Sequence, residues 1–228
     1  MRSGSLSAIF AEDLPDTPSI MAVGDFNGDG IADVVEARAL DGNPSGPHTL
    51  TVLLGRPDGR FLTEDSLNLI GSDPRALVVG DFNRDGNLDV IAGDGNGSLL
   101  EFQGNGKGQL GPSSKIAAVG SVVSIAVGHF THNGNLDLAV SDPESNSVEI
   151  LLGAGDGSFR QIWSFPLPLR GKEFHLAAAD FNRDGVTDLV ITSDDDEDYE
   201  VMLGNGNGTF TYAPKLSHVK DPNSYCPT

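Results

Sequence analysis

A twelve-residue pattern recurs four times along the chain and excludes most folds before composition is considered. It reads GDFNGDGIADVV at 24–35, GDFNRDGNLDVI at 80–91, GHFTHNGNLDLA at 128–139 and ADFNRDGVTDLV at 179–190. The loops begin at Asp25, Asp81, His129 and Asp180, so the repeat advances by 56, 48 and 51 residues. A second motif alternates with the first: TVLLGRPDGRF (51–61), LLEFQGNGKGQL (99–110), EILLGAGDGSF (149–159) and VMLGNGNGTF (201–210). Each unit of about fifty residues is too small to bury its own apolar face, so neighbouring units must bury it together.

The local signals inside a unit are those of strands. The segments before the loops are SIMAV, RALVV, VSIAV and HLAAA, and those after them are IADVVEA, NLDVIAG, NLDLAVS and VTDLVIT. They are short, apolar and rich in β-branched residues, which favours buried strands over helices. The second motif runs a strand into a glycine-rich turn, and a more variable strand such as FLTEDSLNLI or FRQIWSFPLPL closes the unit. Three or four antiparallel strands per unit predict an all-β chain of β-propeller blades, not a helical solenoid.

The first loop also spells a complete EF-hand, D-x-[DN]-x-[DN]-G-x5-E, with Asp25 first and Glu36 twelfth. Its sister loops reject that reading. Position twelve is Ala92 in the second copy and Ile191 in the fourth, and only VIA separates Asp89 from Gly93, which leaves no exiting helix. Glu36 is therefore expected to be an exposed carboxylate at a strand end, outside any site.

A DFNxDGxxD loop between two strands, followed by an LGxGxGxF turn, resembles the FG-GAP/VCBS repeat, which builds the β-propeller of integrin α-subunit heads and of many secreted bacterial proteins. The resemblance runs from about residue 5 to 212. It implies a calcium ion held by oxygens at loop positions 1, 3, 5, 7 and 9. Carried over, the first set is Asp25, Asn27, Asp29, the Ile31 carbonyl and Asp33. The second is Asp81, Asn83, Asp85, the Asn87 carbonyl and Asp89; the fourth is Asp180, Asn182, Asp184, the Val186 carbonyl and Asp188. The chemistry agrees, since calcium takes six to eight hard oxygens and a glycine at position six permits the sharp turn. The third loop offers His129, Thr131, Asn133 and Asp137. One carboxylate and a softer imidazole suit calcium poorly, so that loop is expected to hold no metal. Three calcium ions are thus expected. Phe26, Phe82, Phe130 and Phe181 follow the first position in every loop, including the metal-poor one, which marks them as packing between blades.

Composition narrows the partners. Asp and Glu total 33 against 14 Lys and Arg, a formal charge of −19. Such a surface repels phosphate backbones and anionic lipid, which argues against nucleic acid. No stretch reaches the roughly 18 apolar residues of a membrane helix. Cys226 is the single cysteine, so intrachain disulfides and cysteine-based zinc clusters are out. The start MRSGSLSAIF carries no signal-peptide pattern, which favours a mature form or fragment of an extracellular or cell-surface protein.

Residues 1–212 form the expected four-blade region, with loops at 25–33, 81–89, 129–137 and 180–188, and 213–228 resembles the start of a further repeat. Propellers of this type usually have more blades, so three arrangements stay open: part of a longer propeller, a small closed ring, or two chains completing one ring. The expected function is a non-catalytic, calcium-binding module that meets an unknown protein or glycan. Two alternatives remain: the propeller part of a polysaccharide lyase or sugar dehydratase, and a purely structural scaffold. Five scattered histidines and no G-x-S-x-G motif give the catalytic alternative little support. Trp163 is the sole tryptophan available for sugar stacking, and DDDED at 194–198 is expected in a hairpin loop.

Overall fold

The computed structural model describes residues 20–39, 48–69, 74–167, 173–194 and 199–213. Its described secondary structure is entirely strand and falls into four antiparallel four-stranded sheets. The first blade contains β1 (Ile20–Gly24), β2 (Asp33–Ala39), β3 (His48–Gly55) and β4 (Phe61–Leu69). The second contains β5 (Pro74–Gly80), β6 (Asp89–Asp94), β7 (Ser98–Phe102) and β8 (Ser114–Ala118). The third contains β9 (Ile125–Gly128), β10 (Asp137–Asp142), β11 (Ser147–Gly153) and β12 (Phe159–Pro166). The fourth contains β13 (Phe174–Ala179), β14 (Asp188–Ser193), β15 (Tyr199–Gly204) and β16 (Phe210–Tyr212). Each sheet pairs its strands in chain order, as propeller blades do. Irregularities between third and fourth strands, at Thr51/Leu53, Leu99/Leu100 and Ile150/Leu151, break the ladder locally and add to the blade twist.

The hydrophobic core lies between blades, in three separate layers. Phe26, Val35, Leu50 and Val52 of the first blade meet Leu77, Val90 and Phe102 of the second. Phe82, Ile91 and Leu99 of the second meet Ile125, Leu138 and Leu151 of the third. Phe130, Val148 and Ile150 of the third meet Phe174, Leu189, Met202 and Phe210 of the fourth. Each such side chain contributes about 1.5–3 kcal/mol through removal of apolar surface from water.

One pairing rule repeats at every layer. The carbonyl of the loop phenylalanine accepts a hydrogen bond from a turn glycine of the next blade: Gly108 to Phe26 (3.0 Å), Gly157 to Phe82 (3.2 Å) and Gly208 to Phe130 (2.9 Å). The glycine before each of the first three loops leaves room for position eight of the next loop. A Cβ on Gly24, Gly80 or Gly128 would lie 2.7, 2.7 or 2.6 Å from Leu88, Leu136 or Thr187. Loop and turn phenylalanines also meet edge to face, Phe82 with Phe159 at 5.8 Å and Phe130 with Phe210 at 5.2 Å.

Two sequence expectations require correction. Phe26, Phe82 and Phe130 are buried between blades, but Phe181 is 52% exposed because no described blade covers that side of the fourth sheet. Glu36 is 1% exposed, not an exposed strand-end carboxylate. It lies mid-strand in β2, paired in register with Met21 and Thr51, and so stays outside the loop as expected. Asp194 is described, but Asp195 to Asp198 of the acidic run, the tail from residue 214 and Cys226 lie outside the described residues. Trp163 packs on Phe165 (4.9 Å) and stacks on Phe210 (6.4 Å), which commits much of its ring to the third core layer.

The innermost strands β1, β5, β9 and β13 line a shared apolar depression of about 360 Å³ with side chains such as Ala22, Val79, Ala126 and Leu176. The four aspartate loops follow these strands directly, so all four sit at the same end of the blades.

Candidate metal centre

Each candidate loop is a tight turn whose side-chain oxygens fold back on its own amides. In the first, Asp25 Oδ1 accepts from the Gly28 (2.8 Å) and Asp29 (3.1 Å) N–H groups, and Oδ2 accepts from Gly30 (2.9 Å). Asn27 Oδ1 accepts the Asp29 N–H at 3.0 Å, and its amide donates to Asp29 Oδ2 at 3.1 Å. Asp29 Oδ1 accepts the Ile31 N–H at 2.8 Å. The bonds to positions five, six and seven recur in the second loop among Asp81, Asn83, Asp85, Gly86 and Asn87. They recur again in the fourth among Asp180, Asn182, Asp184, Gly185 and Val186. The Val186 N–H and the Asn182 amide hold the Asp184 carboxyl below the usual carboxylate range.

Backbone conformation explains the fixed glycine. Gly30, Gly86 and Gly185 have φ of 80°, 89° and 86°, yet a Cβ there would meet nothing within 4 Å. Conformation, not space, demands glycine. Position four is also left-handed in these loops, at Gly28 (72°), Arg84 (61°) and Arg183 (63°). The third loop departs here: His132 is not among the positive-φ residues, although Gly134 keeps φ 76°. His129 Nδ1 bonds the Asn135 carbonyl at 2.8 Å, so the imidazole closes the turn in place of an aspartate.

Position nine behaves differently from the other four. Asp33, Asp89, Asp137 and Asp188 are all 0% exposed. One oxygen accepts the N–H of the loop phenylalanine, at 2.8, 3.1, 3.0 and 2.9 Å in chain order. The other accepts the N–H of the glycine at the end of the third strand or just beyond it, Gly55, Gly104, Gly153 or Gly204, at 2.7, 2.9, 3.0 and 2.8 Å. Burial pushes the Asp89 and Asp137 carboxyls up, and these N–H groups offset only part of the rise. The bonds persist in the third loop, so this aspartate staples loop to blade with or without a neighbouring ligand set. The sequence signal for that role was the presence of Asp137 in the loop that lost its other acids.

The donor set of the three D-x-N-x-D-G loops fits calcium in kind: two carboxylates, an amide oxygen and a carbonyl within one turn, with a third carboxylate at its base. Among the described residues, no three His, Cys, Asp or Glu side chains come together as a metal-ligating group. Position three is an asparagine, and position nine faces the blade. The oxygen that accepts the glycine N–H retains a second lone pair, whereas Asp188 Oδ2 accepts the Asn182 N–H (3.3 Å) as well as that of Phe181.

No curated protein matches the sequence. A lectin from Agrocybe aegerita, whose structure is titled for recognition of non-reducing terminal N-acetylglucosamine, aligns over 86% of this chain and 52% of its own, at 18% identity and a TM-score of 0.56. The Tc holotoxin pore of Photorhabdus luminescens aligns over 84% of this chain and 9% of its own, at 15% identity and a TM-score of 0.53. BBS1N in complex with ARL6DN aligns over 90% of this chain and 56% of its own, at 16% identity and a TM-score of 0.54. These likenesses are of fold, and the chain spans about half or less of each. The model of the FG-GAP-like repeat matches residues 25–92 and 130–191, over half the sequence, and the chain belongs to that repeat family.

Proposed function

We propose that this chain is a non-catalytic β-propeller module, stabilised by three calcium ions and presenting its loops to a glycan or protein ligand outside the cell. The observation that carries the reading is the division among the loops. The first, second and fourth share an oxygen donor set, a left-handed fourth position and one hydrogen-bond pattern. The third has lost the donor set and the left-handed position together, and of the pattern it keeps the Asn135 N–H donating to Asn133 Oδ1. Asp25, Asn27, Asp29 and the Ile31 carbonyl would hold one ion, with Asp33 at the base, and the second and fourth loops would use their counterparts. Bound calcium would supply fixed positive charge that offsets the repulsion of clustered carboxylates. Support for a glycan ligand comes from the similar fold of a lectin. The acidic surface suits a cation-dependent module, and no described helix is long and apolar enough to cross a membrane.

Calcium at about 2 mM, acting on sites of roughly 10⁻⁴ M affinity, should add about 1–2 kcal/mol per site. Chelation is therefore expected to lower the melting temperature by about 10 °C. Titration calorimetry should count three sites in the native chain, and two in Asp29→Ala or Asp85→Ala. A melting curve indifferent to chelator would reject the reading. A glycan array including N-acetylglucosamine-terminated chains then tests the ligand class, and cleavage of a bound glycan would overturn the non-catalytic part.

A further inference from the structure

The pairing rule that joins consecutive blades leaves two matching halves exposed at the ends of the series. Phe181, the loop phenylalanine of the fourth blade, is 52% exposed, whereas its three counterparts are 3% exposed or less. Phe61 on the first blade occupies the turn position whose counterparts Phe159 and Phe210 pack edge-on against a loop phenylalanine of the preceding blade, and it is 44% exposed. Met21 and Val23, 56% and 63% exposed, stand where Leu77 and Val79 of the second blade face the first.

The size of one contact says which blade fits. Inside the chain, a glycine before the loop receives a branched side chain, as Gly24 receives Leu88, Gly80 receives Leu136 and Gly128 receives Thr187, with room for no Cβ. The fourth blade carries Ala179 at the receiving position. Its methyl fills the space that a leucine or threonine would enter. The first blade carries Ala32 at the inserting position, a side chain short enough to leave room for the Ala179 methyl. Both alanines are exposed.

We propose that the fourth blade of one copy docks on the first blade of a second copy, with Phe181 against Phe61 and Ala179 against Ala32. The contact forms twice about a two-fold axis, and two chains then close a ring of eight blades, within the range that propellers adopt. One backbone bond changes partners. The Gly59 N–H donates to Arg56 O within its own turn at 2.9 Å, and on docking it takes the Phe181 carbonyl, as Gly108 takes that of Phe26.

Sedimentation equilibrium of the full chain, with calcium and about 150 mM salt to screen the acidic surface, tests the proposal. The expected mass at tens of micromolar is twice the 23.9 kDa of one chain. Ala32→Leu recreates the inserting side chain of the internal blades and should weaken pairing about 100-fold, tenfold at each of two contacts, with an unchanged circular dichroism spectrum. Ala179→Gly added to it should restore pairing. Phe61→Asp and Phe181→Asp should each run as single chains, and their mixture should regain the double mass, because one contact in the mixed pair is native. A native chain that stays at 23.9 kDa up to about 100 µM overturns the proposal, a range that any stable dimer covers. So does a dimer indifferent to Ala32→Leu, or a double variant that fails to recover.

Discussion

Asp137→Ala is expected to lower the unfolding free energy by about 3–5 kcal/mol, to the same extent with calcium and with chelator. The carboxylate is 0% exposed and accepts the N–H groups of Phe130 and Gly153, each at 3.0 Å, and the Thr131 hydroxyl at 3.3 Å. Alanine leaves both amides buried without an acceptor, and each such group costs about 1–3 kcal/mol. An asparagine side chain would not restore the native state, since its amide can accept one N–H but turns a donor toward the other. Asp137→Asn is therefore expected to lose roughly half as much. Urea unfolding of the three proteins, with and without chelator, reads the effect directly. A loss below about 1 kcal/mol would remove the staple from the account of the fold.

The comparison with Asp29→Ala separates the two jobs of these loops. Asp29 is exposed and bonds only within its own loop, so its removal should cost stability in calcium and little in chelator. Asp33→Ala should cost stability in both conditions, because Asp33 holds Phe26 and Gly55 as Asp137 holds Phe130 and Gly153. Position nine is thus a structural acceptor first, and any metal shares a group the blade already needs.

How far the sequence could be read depended on repetition. The loops, glycines and strands recur with the same neighbours, so comparing the copies identified four blades and removed Glu36 from the loop. What the copies do not share was not legible. The burial of Glu36 comes from its mid-strand place in β2, and a loop motif says nothing about that. Phe181 carries the same motif as Phe130, but its exposure depends on whether a further blade covers it, which is a property of the assembly. The double hydrogen bond at position nine was hidden for another reason: its partners Gly55, Gly104, Gly153 and Gly204 lie 15 to 22 residues away in the second motif. The alternation of the two motifs held the hint, because a loop acid can reach the end of the third strand only across the sheet.

Glu101→Gln should make the protein more stable above pH 7 and leave it nearly unchanged below pH 4.5. Glu101 stands three residues before Gly104, where the other blades carry Val52, Ile150 and Val201. It pairs in register with Ile91 and faces the core between the second and third blades. The side chain is 3% exposed, and Oε1 has no hydrogen-bond partner. Ser114 Oγ reaches Oε2 at 3.4 Å, and Gly157 of the next blade crosses close to Oε1. Burial pushes the carboxyl from its ordinary 4.5 up to about 7, with the Asp89 and Asp156 charges adding to the rise. The folded chain therefore holds this proton where the unfolded chain has released it. The stabilising contribution is complete below pH 4.5, declines as pH rises, and is gone above about 7, a span of about 3 kcal/mol. Glutamine keeps the shape, and it has no charge to bury. The raised carboxyl of Asp137 acts alike in both proteins and cancels in the difference, and the repulsion between Asp89 and Glu101 is already part of the rise at Glu101. Urea unfolding at pH 5 and pH 8, in chelator to remove calcium linkage, should show the stability gap between variant and native chain widening by about 2–3 kcal/mol. An equal gap at the two pH values would mean that Glu101 is ionised throughout and that the interface between the second and third blades accommodates its charge.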